Sequence, residues 1–285
     1  MGALALSASI ARLHIVAIGA LGVLTFGFAF TGARPWLVAG LAALDWFVVN
    51  LLNRVVDLRE DIANGITGAD VVARHRRLAL AVGVAVLVAS LVATALLAPL
   101  LLVPRIAFHA LGFAYNWPLA GRRRIKQRYF WKNLASATGF LLTCFALPLL
   151  AAPSVLVSSE TIGATALFFL LFELSYEVLY DLRDVEGDRL ADVKSYPVVH
   201  GVEVGWRIAW GLMLCSSVVA FGAFALGLVP WRIAIMGTAP LIQLGWSARV
   251  RRRGITSRDC IGVTWIGVAL LAGWHVWEAL GLPGA

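Results

Sequence analysis

The chain has 285 residues, 60% of them apolar and 14% charged, with a mean hydropathy of +0.84. Soluble domains carry about 25% charged and 45–50% apolar residues, so the composition excludes a soluble enzyme, a disordered chain and a nucleic-acid module. The net charge of +8 then reads as the lysine and arginine excess that membrane proteins place on one side of the bilayer.

Nine apolar segments follow one another, near 10–31, 36–53, 78–98, 102–118, 133–152, 161–181, 206–228, 231–248 and 259–280. A spanning helix needs about 20 such residues. These segments predict a single all-α integral membrane domain over 1–285, with about nine transmembrane helices and no room for a separate soluble domain. The first segment has only Arg12 before its apolar run. It also exceeds the roughly 7–15-residue core of a signal peptide, which predicts a retained first helix. The second segment ends in Asn53, Asp57 and Asp61, spaced i, i+4 and i+8, which share one face of a helix. Arg74, Arg76 and Arg77 come after them. The fourth segment is short and has Pro99 and Pro104 at its start. It ends near Tyr115, and the loop beyond it carries Arg122, Arg123, Arg124, Lys126, Arg128 and Lys132. The sixth segment leads into Asp181, Asp184 and Asp188, again on one face, then Arg189 and Lys194. The run Arg249 to Arg253 after the eighth segment reads as an orientation and anionic-lipid signal.

Of the 24 Lys and Arg, only Arg34, Arg105 and Arg232 fall on the side opposite the rest. The basic side is predicted to be cytoplasmic. The N-terminus is then inside and, with nine spans, the C-terminus outside. Both aspartate clusters lie on the cytoplasmic side. Cys144, Cys215 and Cys260 are far apart in apolar segments, without metal or redox spacing, and read as small buried hydrophobes.

Like charges at helical spacing repel by a few tenths of a kcal/mol per pair. A divalent cation would offset that, because hard magnesium prefers carboxylate and amide oxygens. Carboxylates able to hold Mg2+, with basic groups beside them, describe a diphosphate site. Asp57 and Asp184 are separated by the same 127 positions as Asp61 and Asp188, so the two clusters read as a pair.

The paired motifs N-x3-D-x3-D (Asn53, Asp57, Asp61) and D-x2-D-x3-D (Asp181, Asp184, Asp188) resemble those of the UbiA superfamily of intramembrane prenyltransferases. The stretch DLRDVEGDRLADVKSYPVVHG from Asp181 to Gly201 is similar to that family's second motif region. The resemblance extends over nearly the whole chain. It implies helices ringed around a central cavity under a cytoplasmic cap, in a bacterial or archaeal plasma membrane with the site facing the cytoplasm. It implies that the six motif residues are ligands of Mg2+ and diphosphate. It further implies that a prenyl diphosphate is ionised and that an aromatic, lipid or other electron-rich acceptor captures the prenyl group. Many members carry Y-x3-K after the fourth helix. Here Tyr115 is followed by Asn116, Trp117, Pro118 and Leu119, so the lysine is missing. Arg122, Arg123, Lys126 and Lys132 are candidates to replace it. Arg74, Tyr115, Arg122, Lys126, Lys132, Tyr180, Lys194 and Glu177 are the expected substrate contacts.

Three acids fall inside apolar segments, Asp45, Glu173 and Glu177, and each is a candidate for function or for a hydrogen bond to a neighbouring helix. Aromatic faces near the motifs, among them Trp46, Phe172, Tyr176 and Tyr180, are candidates to stabilise a carbocation. Rival expectations are a terpene cyclase acting on the diphosphate alone, transfer of a phosphoribosyl-type group to a lipid, and a cation transporter.

Overall fold

The computed structural model describes residues 3–118 and 123–282, with backbone alone for 3–5. Arg122, one of the expected substrate contacts, lies outside the described residues. Among them there are helices and no strand.

A short α1 (Ala3–Ile10) breaks at Arg12, whose φ of 46° cannot continue a helix. The chain then enters α2 (Leu13–Thr31). Gly32, at φ 71°, closes α2 by donating its N–H to the Phe28 carbonyl. Next come α3 (Trp36–Val56), α4 (Leu58–Ala63), α5 (Ala69–Arg74) and α6 (Arg76–Leu97). A 3-10 turn at Pro99–Leu101 runs straight into α7 (Leu102–Asn116). The fifth expected span is α8 (Trp131–Leu141), a π turn at Leu142–Ala146 and α9 (Leu147–Ala151). Pro148 has no N–H to give to the preceding turn, and the wider π turn lies immediately before it. Then follow α10 (Ser159–Arg183), α11 (Val185–Leu190), α12 (Tyr196–His200), α13 (Val202–Ala225), α14 (Trp231–Ala234), α15 (Thr238–Arg251) and α16 (Ser257–Ala279).

Seven of these stretches are long and apolar enough to cross a membrane. They correspond to the first, second, third, fifth, sixth, seventh and ninth expected spans. The expected span at 102–118 is the 15-residue α7. With its 3-10 lead-in it reaches roughly 28 Å, close to the hydrocarbon thickness. The span expected at 231–248 is broken by a 3-10 turn at Ile235–Gly237.

The outside of the molecule is apolar. Along α6, Leu78, Leu80, Val82, Val84, Val88, Val92 and Leu96 are all exposed. A soluble surface does not carry a patch of that extent, whereas a bilayer solvates it. The chain is an integral membrane protein.

Polar groups inside the bundle are paired. Asp45 on α3 accepts from Arg105 Nε at 2.9 Å and lies 2.7 Å from His109 Nε2, both on α7. Arg105 also donates to the Ser90 carbonyl of α6 at 3.0 Å. Asp45 and Arg105 are fully buried. The sequence counts Arg105 among the charges of the outer loops. It lies in α7 and is buried, with Asp45 balancing it one helix away. Between the alternatives left open for Asp45, the structure places it in this inter-helix ion pair.

The next residue on α3, Trp46, stacks on Phe140 with ring centroids 4.0 Å apart and meets Phe108 at 5.2 Å. Its Nε1–H donates to Thr143 Oγ1 at 3.2 Å. These contacts hold α3, α7 and α8 together around a central cavity.

Candidate active site

The helices α3 and α10 both stop one turn into their aspartate motifs. The break falls at Asp57 (φ −91°, ψ 21°) and at Asp184 (φ −96°, ψ 12°). Each break is followed by a six-residue helix, α4 or α11. The hydrogen bonds repeat at the same offset of 127. Asp61 N–H donates to the Asp57 carbonyl and Asp188 N–H to that of Asp184, both at 2.8 Å. Ile66 N–H donates to the Asp61 carbonyl and Val193 N–H to that of Asp188, both at 2.8 Å. Gly65 takes φ 61° where its counterpart Asp192 takes φ 53°. The two motifs are therefore two copies of one local structure. Neither is the single straight helix face expected from spacing, yet the kink leaves their side chains on a common side.

The copies touch. Asn64, just after α4, accepts from the Gly187 N–H of α11 at 2.8 Å. That N–H belongs to the first turn of α11, which has no partner within its own helix. A Cβ at position 187 would sit 2.3 Å from Asn64 Nδ2. Gly187→Ala is expected to displace Asn64 and lower stability by about 1–3 kcal/mol. Asn64→Ala should cost a similar amount, and the double variant little more than either. Thermal unfolding of the three variants in detergent checks this.

All six motif residues line one cavity of about 250 Å³. Its polar end is formed by α3–α4 and α10–α11, and its depth by Trp46, Phe108, Phe140, Phe26, Phe168 and Phe169 among others. Of the expected substrate contacts, Tyr115, Lys126, Lys132, Glu177 and Tyr180 are in its wall. Arg74 and Lys194 are not. Both are exposed, on the outer flank of α5 and in the turn before α12. The sequence placed them near the motifs, but the short helices carry them away from the cavity.

The basic residues bridge the acids. Lys132 Nζ lies 2.7 Å from Asp181 Oδ1 and 2.8 Å from Asp188 Oδ2. Asn133 Nδ2 donates to the other Asp181 oxygen at 2.9 Å. Lys126 bridges Asp57 and Glu60. Arg124 joins the same two acids at 3.1 and 3.0 Å. Arg54 donates to Asp61 at 3.1 Å, and Arg12 lies 3.9 Å from it. Arg183 donates Nε–H to Asp184 at 2.6 Å and stacks 4.7 Å above the Tyr180 ring. The Tyr180 hydroxyl shares a hydrogen bond with Thr264 at 3.0 Å. Burial pushes the Asp57 carboxyl above its ordinary range, outweighing Lys126 and Arg124. Burial acts the same way on Asp184, but the Arg183 guanidinium outweighs it and leaves that carboxyl low.

Sequence reasoning left Arg12, Arg54, Glu60, Asn64, Asn133, Ser136 and Arg183 out of the site. Arg54 and Glu60 lie within the first motif, so their spacing was visible. Asn133 and Ser136 face the site only because α8 packs against α10.

The expected metal ligands offer oxygen donors alone, the set that a hard dication prefers. Among the described residues no three acids close up into a metal-sized group. Instead, Lys126 and Lys132 each hold a pair of carboxylates. The donor set therefore fits Mg2+, with the ammonium groups as its present counterions.

A family model described as the UbiA prenyltransferase family matches residues 15–265. The chain is similar to the digeranylgeranylglyceryl phosphate synthase of Haloquadratum walsbyi, 28% identical over 85 residues. That match covers 29% of this chain and 30% of the relative. A UbiA homolog from Archaeoglobus fulgidus bound to DMAPP and Mg2+ superimposes with a TM-score of 0.71 at 16% identity, covering 94% of this chain and 96% of that one. The same homolog bound to GPP and Mg2+ gives 0.70, also at 16% identity, covering 94% and 97%. At such identity these likenesses show the fold, and the family match, made over most of the length, shows the membership: the chain belongs to the UbiA prenyltransferase family.

Proposed function

We propose that this protein is a magnesium-dependent prenyltransferase that ionises a prenyl diphosphate at its two aspartate motifs and passes the prenyl group to an acceptor in the same cavity. The observation that carries the reading is the joining of both motifs, with their lysines and arginines, to one end of a cavity whose depth is aromatic and aliphatic. Relatives of this fold described as bound to DMAPP or GPP with Mg2+ support the substrate class.

Ionisation builds negative charge on the leaving diphosphate and positive charge on the prenyl chain. Asn53, Asp57, Asp61, Asp181, Asp184 and Asp188 would hold Mg2+, which supplies charge neutralisation on the leaving group. Lys126, Lys132 and Arg124 leave their carboxylates and donate to diphosphate oxygens; in a water-poor cavity such contacts are stronger than in solution. Arg12 is held only loosely, 3.5 Å from Asn50 and 3.9 Å from Asp61, so it can turn to the same oxygens. Lys132, reaching from α8, stands in for the lysine missing after Tyr115. The aromatic faces of Tyr115, Trp46, Phe108 and Tyr180 each contribute roughly 0.5–2 kcal/mol to the cation. The apolar wall of α3, α7 and α8 takes the prenyl tail. With the basic side inside, the polar end of the cavity opens to the cytoplasm of a bacterial or archaeal plasma membrane.

The test is product analysis. Purified protein is incubated with Mg2+ and geranyl or geranylgeranyl diphosphate, with and without phenolic, quinone-precursor and lipid acceptors. A prenylated acceptor is expected. A cyclic hydrocarbon formed without any acceptor would make it a cyclase, and magnesium flux in proteoliposomes without a prenyl substrate would make it a transporter.

A further inference from the structure

Eight acids line the cavity: the five motif aspartates with Glu60, Glu173 and Glu177. Six are bound to lysine or arginine as described. Glu177 accepts from the Ser136 hydroxyl at 2.7 Å. Glu173 alone has no ionic or hydrogen-bond partner among the described residues. It sits on the cavity face of α10, one turn deeper than Glu177 and two turns deeper than Asp181, and the exposure it has is to the cavity. The neighbours on that face are aromatic. Phe172 meets Tyr176 edge-on at 5.2 Å, and the Tyr176 hydroxyl is used up on the Val263 carbonyl at 3.1 Å.

An unpartnered carboxyl on the wall of a mostly apolar cavity is costly. No cation shares its charge and no donor occupies its lone pairs. The lining contributed by α3, α7 and α8 includes Trp46, Phe108, Phe140 and Gly139. Glu173 is thus, among the described residues, an unpaired carboxyl set deep in an apolar and aromatic lining.

We propose that Glu173 is a catalytic base. On the reading above, which this inference deepens, the allylic C–O bond breaks and its electron pair leaves with the diphosphate. The acceptor then bonds to the prenyl carbon and loses a proton, which Glu173 takes. Where no acceptor is present, the prenyl cation loses a proton from carbon to the same carboxylate, the C–H pair becoming the new double bond. The part of the acceptor that faces α10 therefore carries a transferable proton and no negative charge, as a phenol or alcohol hydroxyl does, since a carboxylate there would meet Glu173 without a counterion.

The test uses the full chain in detergent with Mg2+, geranyl diphosphate and, in one arm, 4-octylphenol. Diphosphate release is read separately from the proton-losing products, prenylated phenol or C10 triene. Glu173→Gln is expected to keep diphosphate release within about threefold. It should lower proton-losing product per diphosphate at least tenfold, within the range of general-base effects, with geraniol or linalool taking its place. Glu173→Asp should recover part of the yield. The pH profile of product yield should lose its acid limb in Glu173→Gln. An unchanged product ratio in Glu173→Gln overturns the assignment. So does an equal loss of release and product, or a wild type that releases diphosphate yet forms neither product. Failure of the wild type to release diphosphate at all counts instead against the prenyltransferase reading.

Discussion

Asp57→Asn and Asp184→Asn are each expected to lower diphosphate release by about a hundredfold to a thousandfold while the protein still folds. The two residues sit at the matching kinks that end α3 and α10. The substitution keeps shape and hydrogen-bonding reach and removes one negative charge. A neutral amide no longer balances the cations gathered there, and losses of this size follow when one preorganised electrostatic contact to a developing charge is removed. Folding should survive because neighbours retain the surrounding cations. Glu60 keeps Lys126 and Arg124 when Asp57 is gone. The Tyr180 ring keeps Arg183 when Asp184 is gone. The check is activity beside the thermal midpoint. A midpoint close to wild type with activity lost supports a catalytic role, and a parallel fall of both supports a structural one.

The largest loss of stability is expected at Asp45, away from the cavity. Asp45→Ala leaves Arg105 buried with only neutral acceptors on α6 and α3. Breaking a buried ion pair from one side costs about 3–5 kcal/mol. The double variant Asp45→Leu with Arg105→Met removes both charges at similar volume and should recover most of that loss. Thermal unfolding in detergent distinguishes the cases, and a double variant as unstable as the single one would mean that packing rather than charge sets the cost. Activity should follow the stability, since Asp45 and Arg105 do not line the cavity.

The sequence was most legible where composition and spacing act over long stretches. The seven long helices are legible because each is a run of apolar residues. The two motifs are legible because the 127-residue offset repeats. The break at Ile235–Gly237 was not, since the apolar run around it continues on both sides. The kinks at Asp57 and Asp184 were not, because an aspartate at i+4 or i+3 suits a continuous helix as well as a capped break. The burial of Arg105 was not legible, because a charge at the start of an apolar run reads as a boundary marker and its partner Asp45 lies 60 positions away. Arg74 and Lys194 were expected at the site on proximity in sequence, and a turn of one short helix was enough to move them off it. Lys132, by contrast, is close to the second motif only through the packing of α8 on α10. It was named among several cations and could not be singled out.

On the proposed function, the two motifs act together on one diphosphate with a divalent cation. The most direct measurement is release of inorganic diphosphate from geranyl diphosphate by the purified protein, with Mg2+ and again after chelation. Release that depends on Mg2+, stops on chelation and returns when Mg2+ is restored is the expected result. No release at all, or release that persists undiminished in the presence of the chelator, would contradict it.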